Sequence, residues 1–153
     1  MTRIFTALAL TLSMSLAAPG ARAADAGADP TELVQEAGER SLEEFLWLKR
    51  PIVVFADSPA DPRYVQQMQF IADRPDALED RDVVVLTDTD PAARSALRRE
   101  LRPRGFMLVL IAKDGTRVLR KPFPWSVREL SRSIDKLPVR QQEIRDRQGT
   151  PRE

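Results

Sequence analysis

The chain has 153 residues with 24 Lys and Arg against 23 Asp and Glu, and it holds no Cys and no His. Without Cys it has no disulfide, no thiol nucleophile and no thiol redox couple. Without His it loses the usual general base, the Ser-His-Asp triad and the commonest zinc ligand.

Residues 1–23 read as an export signal. Arg3 supplies a positive start, Ile4 to Ala18 an apolar stretch too short to span a bilayer, and Ala21-Arg22-Ala23 a small-residue cleavage site. Cleavage before Ala24 would leave 130 of the 153 residues, with 22 basic and 23 acidic side chains. The expectation is a periplasmic or secreted protein with no membrane span after cleavage. The near-neutral balance excludes a nucleic-acid partner, whose phosphates call for a basic excess.

Residues 24–40 form a small, polar lead-in and a short helix capped by Thr31. Ser41 with Glu44 is a capping box, opening a helical stretch that Pro51 ends. Ile52 to Ala56 is a continuous β-branched run, expected to be a strand buried on both faces. Asp61 and Pro62 begin the next helix, with Val65, Met68, Ile71 and Ala72 as its inner face. Asp82 to Thr87 is a second buried strand. Asp90 and Pro91 start a helix with Ala93, Leu97 and Leu101 inside and Arg98, Arg99 and Glu100 in water. Met107 to Ala112 is a third strand. Asp114-Gly115 predicts a two-residue hairpin turn with positive φ at both positions, leading into Thr116 to Lys121. Ser126 and Glu129 cap a last helix with Val127, Leu130, Ile134 and Leu137 on its core face. The charged tail beyond Pro138 is partly helical, and residues 148–153 fray. The predicted architecture is α/β, a four-stranded mixed sheet in the order β-α-β-α-β-β-α with an extra N-terminal helical segment.

That order resembles thioredoxin. "GFMLVLIAKDGTRVLR" is similar to the thioredoxin stretch holding a cis-proline, a strand and the final hairpin, and "VVFADSPADP" to the strand and loop that carry Cys-x-x-Cys. Here the loop has Asp57, Ser58, Pro59, Ala60 and Asp61, and Phe106 stands at the cis-proline position. A trans bond is expected there, because a non-proline cis bond costs about 2.5–4 kcal/mol. More narrowly, "FLWLKRPIVVFA", "DPRYVQQ", "RDVVVLT", "GFMLVLIAKDGTRVLR" and "DKLPVRQQEIRDR" together identify residues 41–147 as a member of the DUF4174 domain family. The resemblance implies a thioredoxin-like fold and export, and brings no agreed activity.

Two functional readings compete. One is a non-redox binding module without cofactor, metal or catalytic residues, whose partner is a periplasmic protein or a small anion. The other is a carboxylate-based metal-dependent or hydrolytic enzyme. The candidate ligand-binding residues are Asp57, Asp61, Arg63, Asp88, Lys113 and Arg120. Asp57, Asp61, Asp88 and Asp90 follow the carboxyl ends of strands, where open α/β sheets bind ligands, and such carboxylates suit Mg²⁺ or Ca²⁺. The local alternative makes Asp61 and Asp90 helix caps. Arg63, on a first helical turn where the dipole disfavours a cation, has Asp61 as its nearest partner or an anion at the helix start. Lys113 and Arg120 flank the hairpin. "VVVLTDTDP" is similar to the Asp-x-Asp motif of haloacid-dehalogenase-type phosphatases, but Pro91 follows it and the remaining chain is too short for that fold. Phe123 and Trp125 in "KPFPWS", with Trp47, either seal the core or form a partner-binding patch.

Overall fold

The computed structural model describes residues 32–149. The predicted signal segment, Thr31 and the end of the tail lie outside the described residues. A five-stranded sheet in the order β1-β3-β2-β4-β5 organises the chain. Its strands are β1 (Val34–Glu36), β2 (Arg50–Phe55), β3 (Val83–Asp88), β4 (Met107–Ile111) and β5 (Arg117–Lys121). The two continuous apolar runs become the central strands β2 and β3, which pair in parallel, as their crossover connection requires. β4 runs antiparallel to β2, and β5 antiparallel to β4.

The period-2 rule divides the buried strand residues between two layers. Ile52, Val54, Val83, Val85, Leu108 and Leu110 face α1 (Pro62–Asp73), α2 (Pro75–Glu79) and α4 (Val127–Asp135). Val53, Phe55, Val84, Leu86, Val109 and Ile111 face α3 (Ala96–Leu101) and a 3-10 turn at Leu42–Phe45.

Several expectations are corrected. The sheet has five strands, because residues 34–36 are not a helix. They form β1, in parallel register with Val85 to Thr87, and Leu33 O accepts from Val85 N at 2.7 Å. The exposed backbone of β3 offers an edge that three residues can satisfy, and three residues carry no readable period. The helix after Ser41 is a single 3-10 turn, although Ser41 N donates to Glu44 Oε1 at 2.8 Å as the capping box demands. The helix expected from Asp90 breaks in two. Pro91–Ala93 is a 3-10 turn, Arg94 turns left-handed at φ 48°, and α3 begins afresh behind Ser95. In the hairpin only Gly115 has positive φ, at 84°. Ala112 O accepts from Gly115 N at 3.0 Å and Asp114 Oδ1 from Thr116 N at 2.9 Å, so this is a longer turn closed by glycine rather than a two-residue one. α1 is rotated from its predicted face, with Val65 and Ala72 exposed and Gln67 wholly buried. Gln67 takes both backbone groups of Trp125, at 3.0 and 2.8 Å. That staple holds the "KPFPWS" segment with Trp125 half-buried on the core, while Phe123 stays exposed.

The charged tail is α5 (Pro138–Gly149), and an ionic network ties it to the base of the sheet. Arg50 is 0% exposed; Nη1 donates to Arg81 O at 2.7 Å and Nη2 to Glu143 Oε1 at 2.9 Å. Lys113 Nζ lies 2.9 Å from Glu143 and 2.8 Å from Asp82, and Arg140 Nη1 3.2 Å from Glu143. Arg81 grips Asp135 with two bonds at 2.9 and 2.7 Å, the fork geometry that makes such pairs strong.

Burial raises the Glu143 pKa, and the bonds from Arg50, Lys113 and Arg140 outweigh it, so its carboxyl titrates at about 2. A folded pKa below the unfolded one gives stability that is complete above the unfolded value and lost as pH falls through the folded one. Removing one partner of a buried pair costs about 3–5 kcal/mol, and Asp82 stays near Arg50 at 4.0 Å. Glu143→Ala is therefore expected at the low end, about 3 kcal/mol less stable in urea at pH 7. The gap between Glu143→Gln and the unmodified chain should shrink as pH falls from about 5 towards 2; a gap constant over that range contradicts the network.

Candidate functional site

The carboxyl ends of β2 and β3 are where a thioredoxin-like sheet presents its loops. β2 ends at Phe55, and the chain leaves through Ala56 into the exposed turn 57–60. Asp61 caps α1, accepting from Arg63 N at 2.9 Å, and Pro62 occupies the first helical position, where its missing N–H is harmless. Arg63 folds back over its own cap. Its Nε and Nη2 reach Asp61 Oδ1 and Oδ2 at 3.2 and 3.0 Å, and its guanidinium lies 5.7 Å from the Phe106 ring centroid. The Arg63 bond holds the Asp61 carboxyl below the usual range; Asp61, and more weakly Asp57, hold the guanidinium more firmly protonated. A Cβ placed on Gly105 would lie 3.8 Å from both Arg63 Nη2 and Asp57 Oδ2. Asp57, Asp61 and Arg63 thus meet at one shallow depression beside Gly105.

Asp88 does something else. It is buried, and each carboxylate oxygen is bonded: Oδ2 accepts from Ser95 Oγ at 2.5 Å, and Oδ1 from Arg98 Nε at 2.7 Å and Asp90 N at 3.2 Å. Arg98 does not face water as its position suggested. Its Nη2 donates to Ala56 O at 2.6 Å and Asp88 O at 3.0 Å, and its guanidinium covers the Phe55 ring at 5.4 Å. One side chain on α3 thereby closes the open ends of β2 and β3. Ser95 also accepts from Arg98 N at 3.1 Å as the cap of α3. Asp90 caps the 3-10 turn through Ala92 N at 2.9 Å.

A cleft of about 390 Å³ opens beside this clamp. Asp88, Asp90, Glu36 and Glu39 contribute carboxyls to its wall, and Tyr64 stands with them. Among the described residues no three His, Cys, Asp or Glu side chains are placed to hold a metal ion. No helix among them is long and apolar enough to cross a membrane. No cis peptide bond occurs among them either, so Phe106 follows a trans bond as expected.

The other two candidates lie apart from the loop acids. Lys113 belongs to the network around Arg50 and Glu143 at the opposite pole. Arg120, on β5, donates to Arg102 O at 2.8 Å. Sequence reasoning missed Arg98 and Ser95. Arg98 gave no local signal, since a helix starting at Asp90 puts it mid-helix on a water face, and only the left-handed turn at Arg94 brings it to the first turn of α3.

The family model described as "Domain of unknown function (DUF4174)" matches residues 41–143. Among solved structures, the reduced 2-Cys peroxiredoxin of Plasmodium vivax is similar over 67% of this chain and 84% of its own, at 16% identity and a TM-score of 0.51. Thioredoxin peroxidase I of Plasmodium yoelii covers 74% and 83% at 16% identity and 0.49. A secreted disulfide oxidoreductase of Mycobacterium tuberculosis covers 62% and 86% at 18% identity and 0.41. The first likeness carries the fold assignment, thioredoxin-like, and at that identity nothing more. No curated protein matches the chain.

Ser95→Ala removes a helix cap and strips a buried carboxylate of a donor. It is expected to cost about 2–3 kcal/mol in chemical denaturation. Asp90→Ala, which loses only a cap, should cost about 1 kcal/mol; equal costs would mean that Ser95 is not part of the clamp.

Proposed function

Since the chain belongs to the DUF4174 family, whose description carries no activity, we propose from its own geometry that it is an exported, non-redox, thioredoxin-like binding module. The observation that carries this reading is an apolar knuckle at the pole opposite the carboxyl edge. Leu46, Trp47 and Leu48 follow the 3-10 turn, with Trp47 65% and Leu48 66% exposed. Trp47 has φ 62°, a left-handed conformation that a bulky side chain adopts at a cost of about 1–2 kcal/mol. It is kept there by Trp47 N donating to Lys113 O at 2.7 Å and by Leu46 lying against Gly115. Strain persists where the surroundings over-determine it, and it gathers at functional sites. A rigidly held, exposed Trp between two Leu is the kind of anchor that protein interfaces use. The partner is accordingly a protein with an apolar recess.

The carboxyl edge supports the same reading by exclusion. The loop that carries Cys-x-x-Cys in thioredoxins has no sulfur here, and Asp88 and Asp61 are bonded within the chain. The rival, a carboxylate-based metal-dependent or hydrolytic enzyme, has the acidic cleft beside Tyr64 on its side. It would have to work with Asp88 held by Arg98 and Ser95.

Trp47→Gly separates a recognition residue from a structural one. It is expected to be as stable as the unmodified chain, or up to about 1 kcal/mol more stable, because glycine accepts the left-handed conformation. A loss above about 1 kcal/mol would make Trp47 a core residue and remove the reading's support. The purified chain should reduce neither insulin nor a peroxide, and protein recovered from the export compartment should begin at Ala24. A melting temperature raised by Mg²⁺ or Ca²⁺, and not raised in Asp90→Asn, would move the assignment to the enzyme.

A further inference from the structure

A second cavity, of about 320 Å³, lies between the β4–β5 turn and the start of α5. Val118, Leu137 and Val139 give it an apolar side. Arg50, Lys113 and Arg117 give it a cationic one, with Asp114 as the acid on its wall. Three observations point to an anion. Arg50 is wholly buried, yet its Nε–H has no acceptor. Buried donors are rarely left so, and an orphaned one signals a missing partner. Nor is every cation of the wall answered: Arg117 makes no ion pair among the described residues. Asp114 does not supply the acceptor: its Oδ1 takes Thr116 N at 2.9 Å, and neither of its oxygens bonds Arg50 Nε. Lastly, the twelve-residue α5 begins at this cavity with Pro138, preceded by Leu137, whose side chain cannot cap it. The first-turn amides of a helix have no partner within it, and its dipole places partial positive charge there.

We propose that this cavity binds a small aliphatic carboxylate. The headgroup is taken by Arg50 Nε, Lys113 and the first free amides of α5; the tail lies along Val118, Leu137 and Val139. Arg117 at the exposed rim draws the anion in. A bare inorganic anion would satisfy the donors and leave the apolar wall unused, so the carboxylate is the better fit. The site does not rest on the Trp47 knuckle.

Sodium hexanoate titrated into the ¹⁵N-labelled chain is the test, read by amide chemical shifts. Saturable shifts are expected at Thr116 to Val118 and at Val139 and Arg140. Arg117→Glu should weaken them about tenfold or more, as expected when a cation that steers and holds an anion is reversed. Val139→Phe, which fills the cavity without touching the ionic network, should abolish them. Hexan-1-ol, with the same tail and no charge, should give no saturable response, and inorganic phosphate a weaker one than hexanoate. The proposal is overturned by no saturable response up to about 10 mM, well above the weak dissociation constant a ligand this small allows. Shifts confined to other residues, unchanged affinity in both variants, or phosphate binding more tightly than hexanoate would overturn it too.

Discussion

The pairing of Arg98 with Asp88 governs how the carboxyl edge of this sheet behaves. β2 and β3 end side by side, with Ala56 N donating to Asp88 O at 3.0 Å, and their exit loops diverge. One guanidinium spans both, bonding Ala56 O, Asp88 O and the Asp88 carboxylate while its face rests on Phe55. Arg suits this task and Lys does not, because the planar fork offers several fixed donors at once. With Ser95 on the remaining carboxylate oxygen, Asp88 is a structural anion surrounded by donors. The loop that carries the chemistry in thioredoxins is thus anchored by electrostatics at the root of its strand.

The opposite pole is built by the same means with different parts. Arg50 opens β2 wholly buried, and Glu143 from α5 and the carbonyl of Arg81 meet it there. Desolvating ions is costly, and only good geometry and extra bonds offset it. The network therefore fixes α5 against the sheet in one place instead of leaving a charged tail in solvent. The same fixing shapes the Arg50 cavity and, through Lys113 O, holds Trp47 outward. The exposed aromatic and the cationic cavity share this pole, while the acids of the carboxyl edge are largely answered from within.

Much of this was legible in the residues. The β-branched runs at 52–56 and 82–87 could only be central strands, and Asp61-Pro62 and Ser126-x-x-Glu129 mark helix starts by their own capping chemistry. The family likeness and the thioredoxin-like order follow from the same stretches. The rest was hidden for identifiable reasons. β1 is three residues long, and its strand character comes from the edge of β3, not from its own pattern. Arg94 takes a left-handed turn that no composition rule requires, so α3 starts later than Asp90-Pro91 implies, and Arg98 moves from a solvent face to a first turn. Arg50, beside Pro51, reads as a helix-end cation until Glu143, 93 residues later, is folded against it. Long-range charge pairing of this kind leaves no local trace.

The quiet chemistry of the carboxyl edge depends on Arg98 holding Asp88. A double-mutant cycle on Asp88→Asn and Arg98→Met, measured by urea denaturation, tests this directly. The two changes should be strongly coupled, with an interaction free energy of about 2 kcal/mol or more. Losses that add to within about 0.5 kcal/mol would show Asp88 to be energetically independent of Arg98, and would return the carboxyl edge to chemistry.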